Sequence, residues 1–226
     1  MFRAILFDFD GVLADTEPLH FGAYHEVLGE EKIDLTKEEY TSDFLGLDDR
    51  GCFRAVCQKK GKALSAEKMK DLIRRKNRII LDKIESASLL LPHVREFLRE
   101  IKGRYYLAIV SGALRSEILS VLAKEKIEPF FKIIITADDV KKGKPDPEGF
   151  LTALRVLNRD HGPESDLLLP EECLVVEDSP WGLEAAKKAG MKSAAVTNSY
   201  PKGSLKGADW VIESLKELQG IVGKSS

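Results

Sequence analysis

Residues 3–16 read RAILFDFDGVLADT. The apolar run from Arg3 to Phe9 is too short for a helix and ends in acidic residues and Gly11, so it reads as a buried strand that opens into a turn. Chemistry is expected at that turn. Asp8 and Asp10 straddle Phe9, and residues two apart in an extended segment point the same way, so both carboxylates can face one pocket. Similar runs recur at Tyr105–Val110, Lys132–Thr136, Cys173–Val176 and Ser193–Val196, each next to a helical pattern. That alternation predicts a parallel sheet wrapped by helices, an α/β fold. Two of the helices carry clear start signals. Ser179 precedes Pro180, with Gly190 beyond the end, and Asp146 precedes Pro147; both pairs put a cap and a first-turn proline next to a strand end.

Residues 16–87 lack any convincing strand and show helical patterns separated by Gly29, Gly46 and Gly61. The chain therefore divides into a core of residues 1–15 and 88–226 and an all-helical insert of residues 16–87. Within Ala66–Glu85, the residues Met69, Leu72, Ile73, Ile80 and Ile84 fall on one helical face, which leaves Arg74, Arg75, Lys76 and Asn77 as a polar cluster. Asn158–Pro170 reads as a long exposed loop.

The 226 residues include 35 Lys and Arg against 37 Asp and Glu, a formal net charge of −2, which gives no general attraction to nucleic acid. Asp8, Asp10 and Asp15 interrupt the first apolar stretch, and no run approaches the ~20 apolar residues of a membrane span. A cytoplasmic protein with no membrane or nucleic-acid partner is expected. Cys52, Cys57 and Cys173 are odd in number and contain no CxxC pair, so they read as reduced thiols and not as a zinc site.

Glu177 and Asp178 follow a second strand in the position that Asp8 and Asp10 hold after the first. Four carboxylates in one crevice repel unless a cation neutralises them, and hard oxygens favour Mg²⁺.

The ordered motifs resemble those of the haloacid dehalogenase superfamily. DFDGVLADT at Asp8–Thr16 is similar to its first motif, SGA at Ser111–Ala113 to its second, GKPDP with Lys144 to its third, and VVEDSPWGLEAAKKAGM to its fourth. The insert resembles the small helical cap of the subgroup that contains β-phosphoglucomutase and phosphoglycolate phosphatase. The resemblance implies a Rossmann-like core and a Mg²⁺-dependent phosphatase acting on a small phosphorylated metabolite. It makes Asp8 the nucleophile that becomes an aspartyl phosphate, with the metal on Asp8, Asp178, Glu177 directly or through water, and the Asp10 carbonyl. Ser111, Gly112 and Lys144 would hold the phosphate; Lys141 and Lys142 compete with Lys144 on charge alone. Asp10 would protonate the leaving oxygen and then activate water. An ordinary Asp titrates at ~3.9, so a protonated Asp10 at pH 7 costs roughly 4 kcal/mol, and the expectation is that metal-bound Asp8 stays ionised while metal-free Asp10 is pushed upward by neighbouring carboxylates and the substrate oxygen. An Asp at position 10 also points to phosphate esters, because dehalogenase members of the superfamily lack it.

The same resemblance nominates His20 near the hinge, Arg50 in GLDDRG, and Lys76 with Asn77 as residues of the cap that meet substrate. Arg50 is shifted by one position from the subgroup's arginine for a second phosphate. Trp181 can meet substrate or pack. A phosphohexomutase using the same aspartyl phosphate is the alternative function, and a non-catalytic phosphate-binding module a more remote one. A monomer is expected, with a homodimer as the other possibility.

Overall fold

Ala4–Phe7 is a fully buried strand, β1, in a computed structural model that describes residues 1–85, 88–159 and 167–223. It lies in a six-stranded sheet with Tyr106–Val110 (β2), Ile133–Ile135 (β3), Cys173–Glu177 (β4), Lys192–Val196 (β5) and Trp210–Ile212 (β6). The order is β3-β2-β1-β4-β5-β6, and every pairing is parallel. All five expected strands are present. The sixth left no pattern to read, since it is a three-residue edge strand whose Trp210 is exposed.

Both faces of the sheet are covered, which is why its strands are continuously apolar. Ile5 and Phe7 pack with helices Val94–Ile101 (α5), Arg115–Glu125 (α6) and Leu215–Val222 (α9). Ala4 and Leu6 point the other way, against Glu148–Arg159 (α7) and Pro180–Lys188 (α8). The helix starts follow the sequence signals: Ser179 Oγ accepts from Gly182 N at 3.1 Å ahead of α8, and Asp146 Oδ1 accepts from Glu148 N at 3.0 Å ahead of α7.

Between β1 and β2 the described residues form helices and no strand. They are Glu17–Glu30 (α1), Lys37–Glu39 (α2) running into a π-helical turn at Tyr40–Phe44, Asp49–Lys59 (α3) and Ala66–Ile84 (α4). Thr36, Asp48 and Ser65 cap the last three α-helices of this group through backbone N–H groups. Tyr24, Leu28, Leu35, Phe53, Val56 and Leu72 give the region an apolar centre of its own.

One expectation for α4 fails. Its buried stripe is Leu72, Lys76, Ile80 and Ile84, four apart each time. Lys76 has no exposed surface and belongs to that stripe rather than to the polar cluster, while Met69 and Ile73 are only partly buried. A charge in an apolar stripe looks like an interruption in the sequence, and only its partners from other helices explain it. Arg74 stays exposed and pairs with Asp71 at 2.6 Å; Arg75 reaches Glu30 at the end of α1 and Glu31 just beyond it.

The expected loop at 158–170 lies for the most part outside the described residues. At its near ends, Asn158 bonds both the N–H and the carbonyl of Leu168. No helix among the described residues is long and apolar enough to cross a membrane.

Candidate active site

Phe7 is level with Ile109 on one neighbour strand and with Val176 on the other, so three chains leave the sheet at one height. Open α/β sheets bind ligands at such carboxyl ends. Asp8, one residue beyond β1, is bonded back through its N–H to Val176 O at 2.8 Å, which places its side chain beside Glu177 and Asp178. Ligand oxygens of these three carboxylates lie within 4.8 Å of one another, and all three residues are buried. Two glycines make room for this. Gly11 has φ +72°, and a Cβ there would overlap Asp178 Oδ2; a Cβ on Gly182 would overlap the Glu177 carboxylate.

Among the described residues a single cation reaches the cluster. Lys144 Nζ sits 2.8 Å from Asp8 Oδ1 and 2.5 Å from Glu177 Oε1. The other Glu177 oxygen accepts from the N–H groups of Asp178 and Ser179 and from the Ser179 hydroxyl. Glu177 is thus fully engaged in fixing Lys144 and the turn. One ammonium does not balance three buried carboxyls. Burial, with Glu177 and Asp10 adding to it against Lys144, pushes Asp8 up to about 7. Burial, Glu177 and Asp8 push Asp178 well above the usual range. A divalent cation fits this donor set, with Asp8 and Asp178 the residues that have oxygens to give and Glu177 behind them.

Asp10 behaves differently. Burial raises it, but the His20 hydrogen bond and charge and the Thr16 hydroxyl outweigh burial and hold it below the usual carboxylate range. Thr16 Oγ1 donates to Asp10 Oδ1 in a short hydrogen bond, and His20 Nε2 lies 3.5 Å from the same oxygen. Without a cation beside Asp8 and a substrate oxygen beside Asp10, Asp8 is the harder of the two to ionise.

His20 connects Asp10 to Lys76. Lys76 Nζ is 2.6 Å from His20 Nδ1, 2.7 Å from Asp49 Oδ1 and 3.4 Å from Glu117 Oε1. Burial acts against the Lys76 charge, but Asp49 and Glu117 more than compensate and raise its pKa. Lys76 is then the donor to Nδ1, which leaves Nε2 of His20 to carry a proton toward Asp10. Burial and Lys76 oppose a second proton on the ring, Asp10 and Glu117 favour it, and the net direction is upward.

A cavity of about 70 Å³ lies over these groups, walled by Asp8, Asp10, Lys144, Gly112 and Asp178 on the sheet side and by His20, Glu17 and Tyr40 on the helical side. Of the residues expected at the site, Asp8, Asp10, Gly112, Lys144, Glu177, Asp178, His20 and Lys76 come together here. Ser111 is buried at the edge, its hydroxyl 3.5 Å from Asp10 Oδ2 and accepting from Ala113 N, so it does not cap α6. Arg50 does not join them. It is exposed and lines, with Arg54, Lys141 and Lys142, an adjoining cleft of about 1080 Å³ that shares Leu47, Asp48, Asp49 and Lys144 with the cavity. The reason is local: Asp48 caps α3 and Asp49 opens it, which turns Asp49 toward the cavity and the next residue outward. Asn77 accepts from Ser116 on α6, away from the cavity. Trp181 is exposed beside Gly46 and is absent from the cavity wall.

Several residues of the site escaped the sequence. Glu117, Tyr24 and Tyr40 stand in helical stretches with no quoted motif around them, Glu17 lies just past the first motif, and Asp49 was passed over for its neighbour Arg50. Ser199 had a signal, since it follows β5 at the same sheet edge; its hydroxyl donates to Asp178 in a short bond, and Asn198 donates to Gly11 O at 2.7 Å.

Comparison with known proteins agrees with this geometry. Residues 5–196 match the family described as haloacid dehalogenase-like hydrolase. A phosphorylated carbohydrates phosphatase of Thermotoga maritima is 35% identical over 199 residues, covering 84% of this chain and 82% of that one. A β-phosphoglucomutase of Bacillus subtilis is 29% identical over 223 residues, covering 96% and 91%. The crystal structure of CbbY from Rhodobacter sphaeroides in complex with phosphate superposes with a TM-score of 0.83 at 26% identity, covering 96% of each chain. The chain belongs to the haloacid dehalogenase-like hydrolase family.

Proposed function

We propose that the chain hydrolyses a small phosphorylated metabolite, a phosphosugar or a similar monoester, with Mg²⁺ as its metal and an aspartyl phosphate on Asp8 as the intermediate. The observation that carries this reading is the division of the cavity: Asp8 lies with Lys144 and the acidic pair, while Asp10 is held apart by Thr16 and His20. A divalent ion on Asp8 and Asp178 would cancel charge between the phosphate and its attacker. An Asp8 oxygen attacks phosphorus, the bond to the ester oxygen breaks, and that oxygen takes the proton of Asp10, which is left as a carboxylate beside His20 Nε2. Asp10 then takes a proton from the water that attacks the aspartyl phosphate, releasing inorganic phosphate and restoring Asp8. Lys144 and the backbone around Ser111 and Gly112 hold the phosphoryl oxygens.

Residues 16–87 act in this reading as a cap that shuts out bulk water, supported by the helical side of the cavity wall. Three buried, unpaired thiols suit the reducing cytoplasm. A phosphohexomutase shares Asp8, Asp10 and His20, but Arg50, which favoured it in the sequence, stands outside the cavity.

The test is phosphate release from sugar phosphates, phosphoglycolate, nucleotides and an aryl phosphate, with and without Mg²⁺, while isomerised sugar phosphates are followed in the same tubes. Metal-dependent release is the expected result. Isomerisation of a hexose 1-phosphate with little free phosphate would establish the mutase instead.

A further inference from the structure

Beyond β5 three consecutive residues take hold of three different parts of the molecule. Register sets where the segment starts: Ala195 is level with Glu177 on β4, and Thr197 N donates to Ile212 O on β6 at 3.1 Å, so the chain leaves the sheet next to Asp178. Asn198 donates through Nδ2 to Gly11 O at 2.7 Å, in the turn after β1. The Ser199 hydroxyl donates to Asp178 Oδ2 in a short hydrogen bond. The Tyr200 hydroxyl donates to Leu45 O at 2.7 Å, on the helical side, and Ser199 and Tyr200 both line the cavity. The two oxygens of Asp178 therefore differ. Oδ2 is fixed between Ser199 and the bare Cα of Gly11, where a Cβ would overlap both side chains. Oδ1 has no donor among the described residues and is the oxygen left for a cation.

Resting on the metal-dependent reading above, we infer that Ser199 is a positioning residue for the divalent cation: its hydroxyl holds one oxygen of Asp178 and so orients the carboxylate that would bind the ion. A carboxylate that is free to turn must be ordered when the ion arrives, and that ordering is subtracted from the affinity. A hydrogen bond to the oxygen that does not meet the metal removes most of this cost beforehand. The bonds of Asn198 to Gly11 and of Tyr200 to Leu45 pin the residues on either side, so the Ser199 hydroxyl is itself held in place. Ser199 acts through Asp178 and takes no part in the transfer step, which involves Asp8, Asp10 and water as written above.

The test titrates Mn²⁺ into the metal-free full chain, reads the free ion by electron paramagnetic resonance, and then displaces the bound ion with Mg²⁺. Ser199→Ala should raise the Mn²⁺ Kd by about tenfold, the lower end of what removing a hydrogen-bond partner of a metal ligand costs. Ser199→Thr, which keeps the hydroxyl, should return the Kd to within about threefold of the unaltered chain. The Mg²⁺ concentration that gives half-maximal hydrolysis of 4-nitrophenyl phosphate should rise in step with the Kd. A Kd for Ser199→Ala within about twofold of the unaltered chain overturns the inference. An equal loss in Ser199→Thr overturns it as well, because the hydroxyl would then not be the cause. A lower metal-free melting temperature in Ser199→Ala with the Kd unmoved does the same and makes the residue structural. Binding of Mn²⁺ by the unaltered chain in any of these cases leaves the metal reading standing; absence of binding overturns both.

Discussion

The sheet end and the helical region each bury an ammonium among carboxylates, yet they assemble it in opposite ways. Around Lys144, the partners Asp8 and Glu177 come from strand ends that run side by side, and register alone brings them together. Around Lys76, the partners come from α1, α3 and α6, and no pairing rule predicts the meeting. Register makes the first cluster a local property of short motifs. The second is a tertiary property, and it couples the helical region to both α6 and Asp10.

Five substitutions sharpen that contrast. Asp8→Asn removes the nucleophile and should lower kcat by about a thousandfold or more while the far-UV circular dichroism spectrum is unchanged. Near-normal steady-state hydrolysis by that variant would rule out Asp8. Lys76→Met should act first on stability, because Asp49 and Glu117 are left buried without their cation; a loss of about 3 kcal/mol is expected from denaturant unfolding. Adding Glu117→Gln should return roughly 1 kcal/mol of it, and strict additivity of the two changes would show that these residues are not coupled. Asp10→Asn should slow alkyl phosphates by about a hundredfold, and an aryl phosphate much less, since a phenolate departs with little proton assistance. Equal losses on both substrates would argue against Asp10 as the acid. Arg50→Ala, in the outer cleft, should change hydrolysis of a monophosphate by less than about twofold, as expected of an exposed charge.

The same contrast explains what the sequence disclosed. The sheet was legible because each strand buried on both faces is a short apolar run, and the acids and Lys144 follow such runs or a proline signal directly. The edge strand Trp210–Ile212 was not, having three residues of which only Ile212 is buried. In the helices, a stripe of Leu72, Ile80 and Ile84 announces a buried face, but nothing local says that Lys76 shares it. Arg50 was misplaced by a single residue: sequence gives charge and approximate position, whereas the cap at Asp48 sets which of Asp49 and Arg50 turns inward. The ionisation order of Asp8 and Asp10 also needed coordinates, because it depends on Thr16 and His20 holding one carboxylate and not the other.

Burial of Lys76 also gives the molecule a built-in clock. Its amine is shielded from solvent and held protonated by Asp49 and Glu117, so an amine-reactive reagent can modify it only after α4 parts from α1 and α6. The rate at which this one lysine is acylated, set against exposed neighbours such as Lys70, therefore counts separations of those helices directly, and substrate that holds them together should slow it.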